Sequence, residues 1–231
     1  MTALRTLLLT VAVCAVLLVG GCLALPTLLG TFNPDVSWRV PGAGRVLYLT
    51  VDDGPSEATP LILDVLNRHD VKATFFITTD HLQPEMMSRI VAGGHQIANH
   101  LKTTASLGRL SPEQFESDLS ASERSLAPYR PVKLFRPPGG SLSPQQAAYV
   151  RARGYGIVVG TIYPLDHWLT NVTAIRLLAE SLVIDGGIII LHDTRTRGPR
   201  TAEVLDSLIP QLKRRGYQFE LLPANLTTTG F

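Results

Sequence analysis

The feature that most limits the fold of this sequence is a regular alternation between short apolar runs and amphipathic segments. The run Val46–Asp52 precedes the helical pattern Pro60–Arg68, and this order repeats down to Tyr217–Leu222. Such alternation predicts parallel strands joined by crossover helices. The other predicted strands are Lys72–Thr78, Gln96–His100, Lys133–Arg136, Tyr155–Ile162 and Gly187–His192. The other predicted helices are Pro84–Ala92, Ser111–Ala127, Ser143–Arg153, Val172–Val183 and Thr201–Arg215.

The number of these units selects the fold class. About seven strand–helix units favour an α/β fold in the form of a distorted (β/α) barrel of about seven parallel strands. An open doubly wound sheet would show the same alternation, and it stays as the alternative. No glycine-rich phosphate-binding fingerprint follows the first strand, so the sequence does not favour a nucleotide ligand.

Two helix starts are marked by their sequence. Ser111-Pro112-Glu113-Gln114 and Ser143-Pro144-Gln145-Gln146 each place Ser at the N-cap, Pro at the first helical position and Gln three residues after the Ser. This order is typical of a capping box, in which the Ser and Gln side chains each accept a hydrogen bond from a backbone N–H group.

An apolar segment precedes the predicted barrel. No charged residue occurs from Leu7 to Leu29, and Arg5 lies just before them. We expect residues 1–30 to be a signal peptide or membrane anchor, 31–44 a linker and 45–231 the folded domain. Leu18-Val19-Gly20-Gly21-Cys22 resembles a lipobox. We therefore expect an extracytoplasmic, membrane-anchored protein or lipoprotein, with secretion after cleavage as the alternative.

Composition limits the partners. The net charge is +2, and no basic block is longer than Lys213–Arg215, so nucleic acid is not an expected partner. The length of 231 residues suits one catalytic domain, which we expect to be a monomer. Cys14 and Cys22 both lie in the apolar segment, so the domain itself has no thiol with which to form a disulfide.

Reactive side chains lie at the ends of the predicted strands. In parallel α/β folds these ends meet around one mouth, because the loops that follow them gather there. We therefore expect six side chains to lie close together at this mouth: Asp52, Asp53, His100, Arg136, Asp166 and His192. Taken alone, each of these residues has an ordinary structural explanation, such as a turn or a surface charge.

The adjacent carboxylates of Asp52 and Asp53 require positive compensation. A divalent cation bound by Asp53 and His100, with Arg136 near Asp52, would provide it and keep Asp52 ionised as a general base. Carboxylate and imidazole ligands suit zinc or a similar ion. His69, His81 and His95 lie at predicted helix ends, in a loop or before a strand, where a structural role is expected.

Three motifs carry a family resemblance. Thr50-Val51-Asp52-Asp53-Gly54-Pro55 resembles a T-F-D-D-G motif with Val in place of Phe. Arg136-Pro137-Pro138-Gly139-Gly140 resembles R-x-P-x-G, and Leu191-His192-Asp193 matches L-H-D. In this order the motifs resemble those of polysaccharide deacetylases with a NodB homology domain, carbohydrate esterase family 4. The resemblance covers roughly Val46 to Leu222.

One family motif is incomplete. The family pattern H-[S/T]-x-x-H aligns with His100-Leu101-Lys102-Thr103-Thr104, so Thr104 replaces the second metal-binding histidine. Two histidines four residues apart would share one face of a helix, whereas a Thr hydroxyl is a weak ligand. The third protein ligand is therefore open. Water, Asp166 or His167 could take its place, or the site could have lost its metal.

The resemblance also implies an activity. The expected substrate is an N-acetylated or O-acetylated polysaccharide, with Asp52 as base, His192 as acid held by Asp166, and Arg136 orienting Asp52. The residues expected to contact the substrate are Pro138, Gly139, Trp168 and Leu191. The alternatives are a catalytically inactive glycan-binding protein and a hydrolase of small amides.

Overall fold

A computed structural model describes residues 36–104 and 110–226. Within these ranges every pairing between two strands is parallel. The strands are β1 (Val36–Ser37), β2 (Val46–Asp52), β3 (Thr74–Ile77), β4 (Gln96–Asn99), β5 (Leu134–Phe135), β6 (Gly156–Val158), β7 (Ile188–His192) and β8 (Gln218–Glu220).

From β2 onward, helices connect successive strands, as the alternation predicts. They are α1 (Thr59–Arg68), α2 (Pro84–Ala92), α3 (Pro112–Leu126), α4 (Pro144–Ala152), α5 (Val172–Ser181) and α6 (Gly198–Arg214). Each predicted strand and helix is present, with ends that differ by a few residues.

The sheet is a distorted barrel. Its strands are ordered β1-β6-β5-β4-β3-β2-β7, and β8 pairs with the first half of β2. After β6 the chain reaches the other end of this order, where Ile162 forms a parallel bridge with Ile189 of β7. The predicted α/β barrel is thus confirmed, and this bridge closes the ring between β6 and β7.

Alternate residues of β2 face two different cores. Leu47, Leu49 and Val51 belong to the large cluster between the sheet and the helices, whereas Tyr48 belongs to a smaller cluster inside the barrel. Successive side chains of a strand point to opposite faces, so Asp52 lies on the inner side with Tyr48. The inner cluster consists of Tyr48, Phe76, Ala98, Leu134, Val158, Ile188, Leu222 and Leu226.

The first strand differs from the sequence interpretation. Val36–Ser37 lies within residues 31–44, which the sequence predicts to be a linker, yet it pairs with β6. The backbone N–H of Val40 also donates to the carbonyl oxygen of Gly186 at 2.9 Å. These two contacts show that the packed domain begins before Arg45. The sequence did not indicate this strand, because two residues are too few to show a hydrophobic period.

Both predicted capping boxes are present. The Ser111 hydroxyl accepts from the backbone N–H of Gln114, and Ser143 does the same from Gln146. In return, the side-chain oxygen of each Gln accepts from the backbone N–H of its Ser.

The proposed N-terminal segment, residues 1–30, lies outside the described residues. Among the residues that are described, no helix is both long and apolar enough to cross a membrane.

Candidate active site

The general base and general acid expected from sequence are neighbours in the sheet. Asp52 ends β2, His192 ends β7, and the two residues are direct partners in the parallel pairing of these strands. The backbone N–H of Asp193 donates to the carbonyl oxygen of Asp52 at 2.8 Å. The carboxyl ends of two adjacent strands thus place a carboxylate beside an imidazole.

Arg136 fixes Asp52 from inside the barrel. Its Nη1 donates to Asp52 Oδ1 at 2.6 Å and to Thr50 Oγ1 at 2.7 Å. Its Nη2 donates to the carbonyl oxygen of Val159 at 2.6 Å, and the guanidinium lies over the Phe76 ring. Asp52 and Arg136 are both buried, so this hydrogen-bonded charge pair is desolvated.

His192 forms a dyad with Asp166. The Nδ1 atom of His192 lies 2.9 Å from both carboxylate oxygens of Asp166, which also accepts from the His192 backbone N–H at 3.1 Å. Burial lowers the pKa of His192, but the hydrogen bond and charge of Asp166, helped by Asp52 and Asp53, outweigh burial and raise the pKa above its usual value. The Nε2 atom therefore carries the proton that can be transferred.

Asp53 and His100 face one another across a small gap. His100 Nε2 lies 3.5 Å from Asp53 Oδ1, while its Nδ1 lies 2.8 Å from the carbonyl oxygen of Arg136. Since a carbonyl oxygen only accepts, Nδ1 carries a proton, and Nε2 is the ring atom that faces the carboxylate. With Nε2 deprotonated, the imidazole and the carboxylate would fit two ligands of a divalent cation.

The backbone and the charge of Asp53 are unusual. Its φ of 72° is in the left-handed region, which is uncommon for a residue with a side chain and recurs at functional sites. Burial raises the pKa of Asp53, but the hydrogen bond and charge of His100 outweigh that effect. The charges of His192 and Arg197 act in the same direction, so the pKa is lowered.

The fit to a metal ends at two ligands. Thr104 is exposed, and residues 101–104 form a loop in which Leu101 has a φ of 68°. The expectation that positions 100 and 104 share one helical face is therefore wrong here, because the chain turns directly after β4. Among residues 36–104 and 110–226, no group of three His, Cys, Asp or Glu side chains could hold an ion. Both oxygens of Asp166 are engaged by His192.

Comparison with known proteins decides the family. A sequence profile described as polysaccharide deacetylase matches residues 39–158. The chain belongs to the polysaccharide deacetylase family. It is 33% identical over 196 residues to a chitooligosaccharide deacetylase of Bradyrhizobium sp. (strain ANU 289), covering 78% of this chain and 90% of the relative.

Solved structures of relatives share the fold. A peptidoglycan N-acetylglucosamine deacetylase aligns with a TM-score of 0.79 at 29% identity, over 85% of this chain and 94% of the other. A family 4 acetyl xylan esterase from Clostridium thermocellum, in complex with cobalt, aligns at 0.69 and 33% identity, over 77% and 88%. A family 4 pseudoenzyme from Bacillus anthracis aligns at 0.74 and 25%, over 82% and 68%.

The loops of this deacetylase family member hold further residues near the site that the motifs do not indicate. His81 Nδ1 lies 2.8 Å from the carbonyl oxygen of Asp53, and Arg197 Nη1 lies 3.5 Å from Asp53 Oδ2. The Tyr163 ring packs edge-on against His192 with 6.0 Å between ring centroids. Position after a strand end is the one signal that could have indicated Arg197, since it follows His192 by five residues.

The expected substrate-contacting residues lie in different environments. Gly139 is exposed at a φ of 75°, directly after the buried Pro138. Trp168 is 77% exposed and lies beside His167, whose ring is 6.4 Å from that of His192. Leu191 has no exposed surface and packs in the large cluster under the helices, so the structure does not bring its side chain to the mouth.

Asp193 ties two loops of the site together. Its carboxylate accepts from the hydroxyls of Ser56 and Thr59, both at 2.5 Å. A Cβ on Gly54 would come within 2.7 Å of the same carboxylate, which explains why the residue after Asp53 has no side chain. Burial raises the pKa of Asp193, although both hydroxyls act against that effect.

Proposed function

We propose that this protein removes acetyl groups from N-acetylated polysaccharide by hydrolysis of a carbon–nitrogen bond that is not a peptide bond, or less often from O-acetylated polysaccharide by hydrolysis of an ester bond. The observation that carries the proposal is the convergence of the Asp52–Arg136 pair, the His192–Asp166 dyad and the Asp53–His100 pair at one end of the barrel. Relatives named as deacetylases of chitooligosaccharide and of peptidoglycan N-acetylglucosamine support it.

In the proposed reaction Asp52 acts as the general base. Its carboxylate is held by Arg136 through a 2.6 Å hydrogen bond and takes a proton from the water that attacks the acetyl carbon. Because Arg136 is buried and bonded to backbone carbonyl groups of neighbouring residues, Asp52 keeps one orientation through the proton transfer.

His192 acts as the general acid. Its proton goes to the nitrogen of the departing amine when the carbon–nitrogen bond breaks. Asp166 holds Nδ1 and raises the pKa of the ring, which keeps His192 protonated until the amine leaves. Acetate and a free amine on the sugar are the products.

Asp53 and His100 would hold a divalent cation, for which zinc is the first candidate. When bound, such an ion supplies Lewis-acid polarisation of the acetyl oxygen. The cobalt complex of the related esterase supports a metal site in this family. With Thr104 exposed, water is the proposed source of the remaining ligands.

Treatment of the protein with a chelator should abolish acetate release, and added zinc should restore it.

Pro138, Gly139 and Trp168 are the proposed substrate contacts. The exposed indole of Trp168, close to His167 and His192, suits a contact with the acetyl methyl group or a sugar face. The contribution of Leu191 to a substrate pocket stays a prediction.

We further propose that residues 1–30 tether an extracytoplasmic, monomeric domain to the membrane, where cell-wall polysaccharide is within reach.

Acetate release from chitin oligosaccharides, peptidoglycan and xylan fragments by the full-length protein tests the function. Asp52→Asn and His192→Gln should each lower kcat by at least about 100-fold, because each removes one proton-transfer group. Asp206→Asn and His69→Gln change the same residue types in a pair remote from the site and should keep wild-type activity. Wild-type turnover by either site variant would show that the assigned roles are wrong.

A catalytically inactive glycan-binding protein is the second candidate. The absence of a third ligand among the described residues favours it, and so does the related pseudoenzyme. Binding of N-acetylglucosamine oligomers without acetate release at any zinc concentration would support this candidate over the hydrolase.

A further inference from the structure

The carboxylate of Asp53 has a nitrogen-bearing side chain beside each of its oxygens. His100 Nε2 lies 3.5 Å from Oδ1, and Arg197 Nη1 lies 3.5 Å from Oδ2. Arg197 directly precedes α6, and its side chain is 20% exposed at the mouth of the site. The metal ligand set proposed above therefore shares Asp53 with a permanent positive charge of the protein.

Arg197 has little else to hold it. Within the described parts of the chain, Asp53 is the one partner found for its guanidinium in a hydrogen bond or ion pair, and that contact is long. The guanidinium of Arg136, by contrast, has four hydrogen bonds to protein oxygens. Arg197 is thus bound loosely enough to move, yet it is close enough to compensate the charge of Asp53.

We propose that Arg197 is a positioning residue that competes with the divalent cation for Asp53 and lowers the metal affinity of this site. The proposal rests on the metal site of the proposed function. Thr104 provides no imidazole, so the ion would depend on Asp53 and His100, and Arg197 reduces the negative charge that Asp53 can offer it.

Two effects of Arg197 on metal binding oppose one another. Its contact with Oδ2 holds the carboxylate with Oδ1 toward His100, which favours binding by fixing one side-chain torsion. The positive charge of Arg197 repels a divalent cation with twice the energy with which it would repel a monovalent one. Because the site is partly buried, solvent screens this repulsion weakly. Fixing one torsion offsets only a small part of that repulsion, so removal of Arg197 should tighten metal binding.

Zinc binding to the full-length protein, measured by isothermal titration calorimetry, tests the proposal. Arg197→Gln should lower the Kd for zinc on the order of tenfold or more. Arg197→Met keeps the apolar part of the side chain and should lower the Kd for zinc by a similar factor. This second variant replaces the first if circular dichroism shows that Arg197→Gln is poorly folded. Arg197→Lys retains the charge and should stay close to the wild type.

Arg195 provides a matched control. It belongs to the same loop but is 83% exposed and lies beside Glu57 rather than Asp53. Arg195→Gln removes the same charge and should leave the Kd for zinc unchanged. Equal Kd values for wild type and Arg197→Gln, or an equal gain in Arg195→Gln, would overturn the proposal.

Thr104→His separates this proposal from the metal site and from the function. It restores the family imidazole and should tighten zinc binding further in the Arg197→Gln background. If no variant binds zinc, Thr104→His included, both the metal site and the competition are wrong. If Arg197→Gln tightens zinc binding while the wild type releases no acetate, the competition holds and the hydrolase function fails.

Discussion

Arg136 combines a structural and a chemical task in one side chain. It has 2% exposed surface and connects β5 to Asp52 of β2 and to the backbone after β6. Burial lowers the pKa of its guanidinium, and Asp52 opposes this effect through its charge and hydrogen bond. Because either charge alone would be costly in the barrel interior, the pair is held in one geometry.

Replacement of Arg136 by Met should lower the free energy of unfolding by about 3–5 kcal/mol, because Asp52 would stay buried without its partner. Urea denaturation measures this change. Lys133→Met is the control, since Lys133 pairs with Glu123 at an exposed site and should contribute less than about 1 kcal/mol. Equal losses for the two variants would contradict the assigned role of the buried pair.

Asp166→Asn should lower the pKa of His192, because the carboxylate is what raises it against the effect of burial. Titration of the histidine ring protons by NMR measures the pKa directly. The titration of His95, which is remote from Asp166 in the fold, should not change. In the pH profile of Asp166→Asn, the fall in kcat at alkaline pH should begin at a lower pH than in the wild type. An unchanged His192 titration in Asp166→Asn would show that Asp166 does not hold this proton.

At the scale of elements, the strands supply a rigid frame and the loops after them supply the chemistry. Helices α3 and α4 begin with the capping boxes that sequence predicts, because such a cap depends only on residues within one turn. The loop after β4 was less predictable. At its turn Leu101 has a φ of 68°, its backbone N–H donates to Asn99 Oδ1, and its side chain is buried in a cluster with residues distant in sequence.

Ser143→Ala should lower the free energy of unfolding by about 1 kcal/mol, because the backbone N–H of Gln146 would lose its acceptor. Chemical denaturation of the purified protein gives the value. Ser207→Ala, inside α6, removes a hydroxyl bonded only to carbonyl oxygens of the preceding turn. That change should be neutral or stabilising, since Ala is the better helix former. Similar losses for both variants would argue against the cap.

At the scale of the whole molecule, apolar clusters on both faces of one sheet stabilise the barrel. The inner cluster fills the space below Asp52 and Arg136, and the two outer clusters lie under the helices. His95 belongs to this frame, as sequence suggests. Its Nδ1 accepts from the backbone N–H of Ala73 at 3.1 Å, and burial, with a smaller effect of Lys72, lowers its pKa to about 4.

The pKa of His95 predicts an acid-sensitive fold. Because the folded pKa lies below the ordinary value of 6.5, this histidine contributes stability above pH 6.5 that is lost as pH falls toward about 4. The loss is on the order of 2 kcal/mol. Thermal unfolding between pH 7 and 4 measures it. His95→Gln, which cannot take up a proton, should show a smaller slope over this range, and an unchanged slope would exclude His95 as the cause.

The sequence by itself determined the strand–helix order, the two capped helix starts and the grouping of Asp52, His100, Arg136 and His192 at strand ends. These features depend on local periodicity, on side chains within one turn, or on the rule that parallel strands end at one rim.

Only the tertiary structure decided the bridge that closes the ring, the pairing of β1 and the position of Arg197 beside Asp53. Each of these contacts joins residues that are distant in the sequence. Their geometry depends on how the whole sheet curves and on which rotamer the packing leaves open. No local pattern encodes such information, and the charges around Asp53 could therefore be read only from the folded chain.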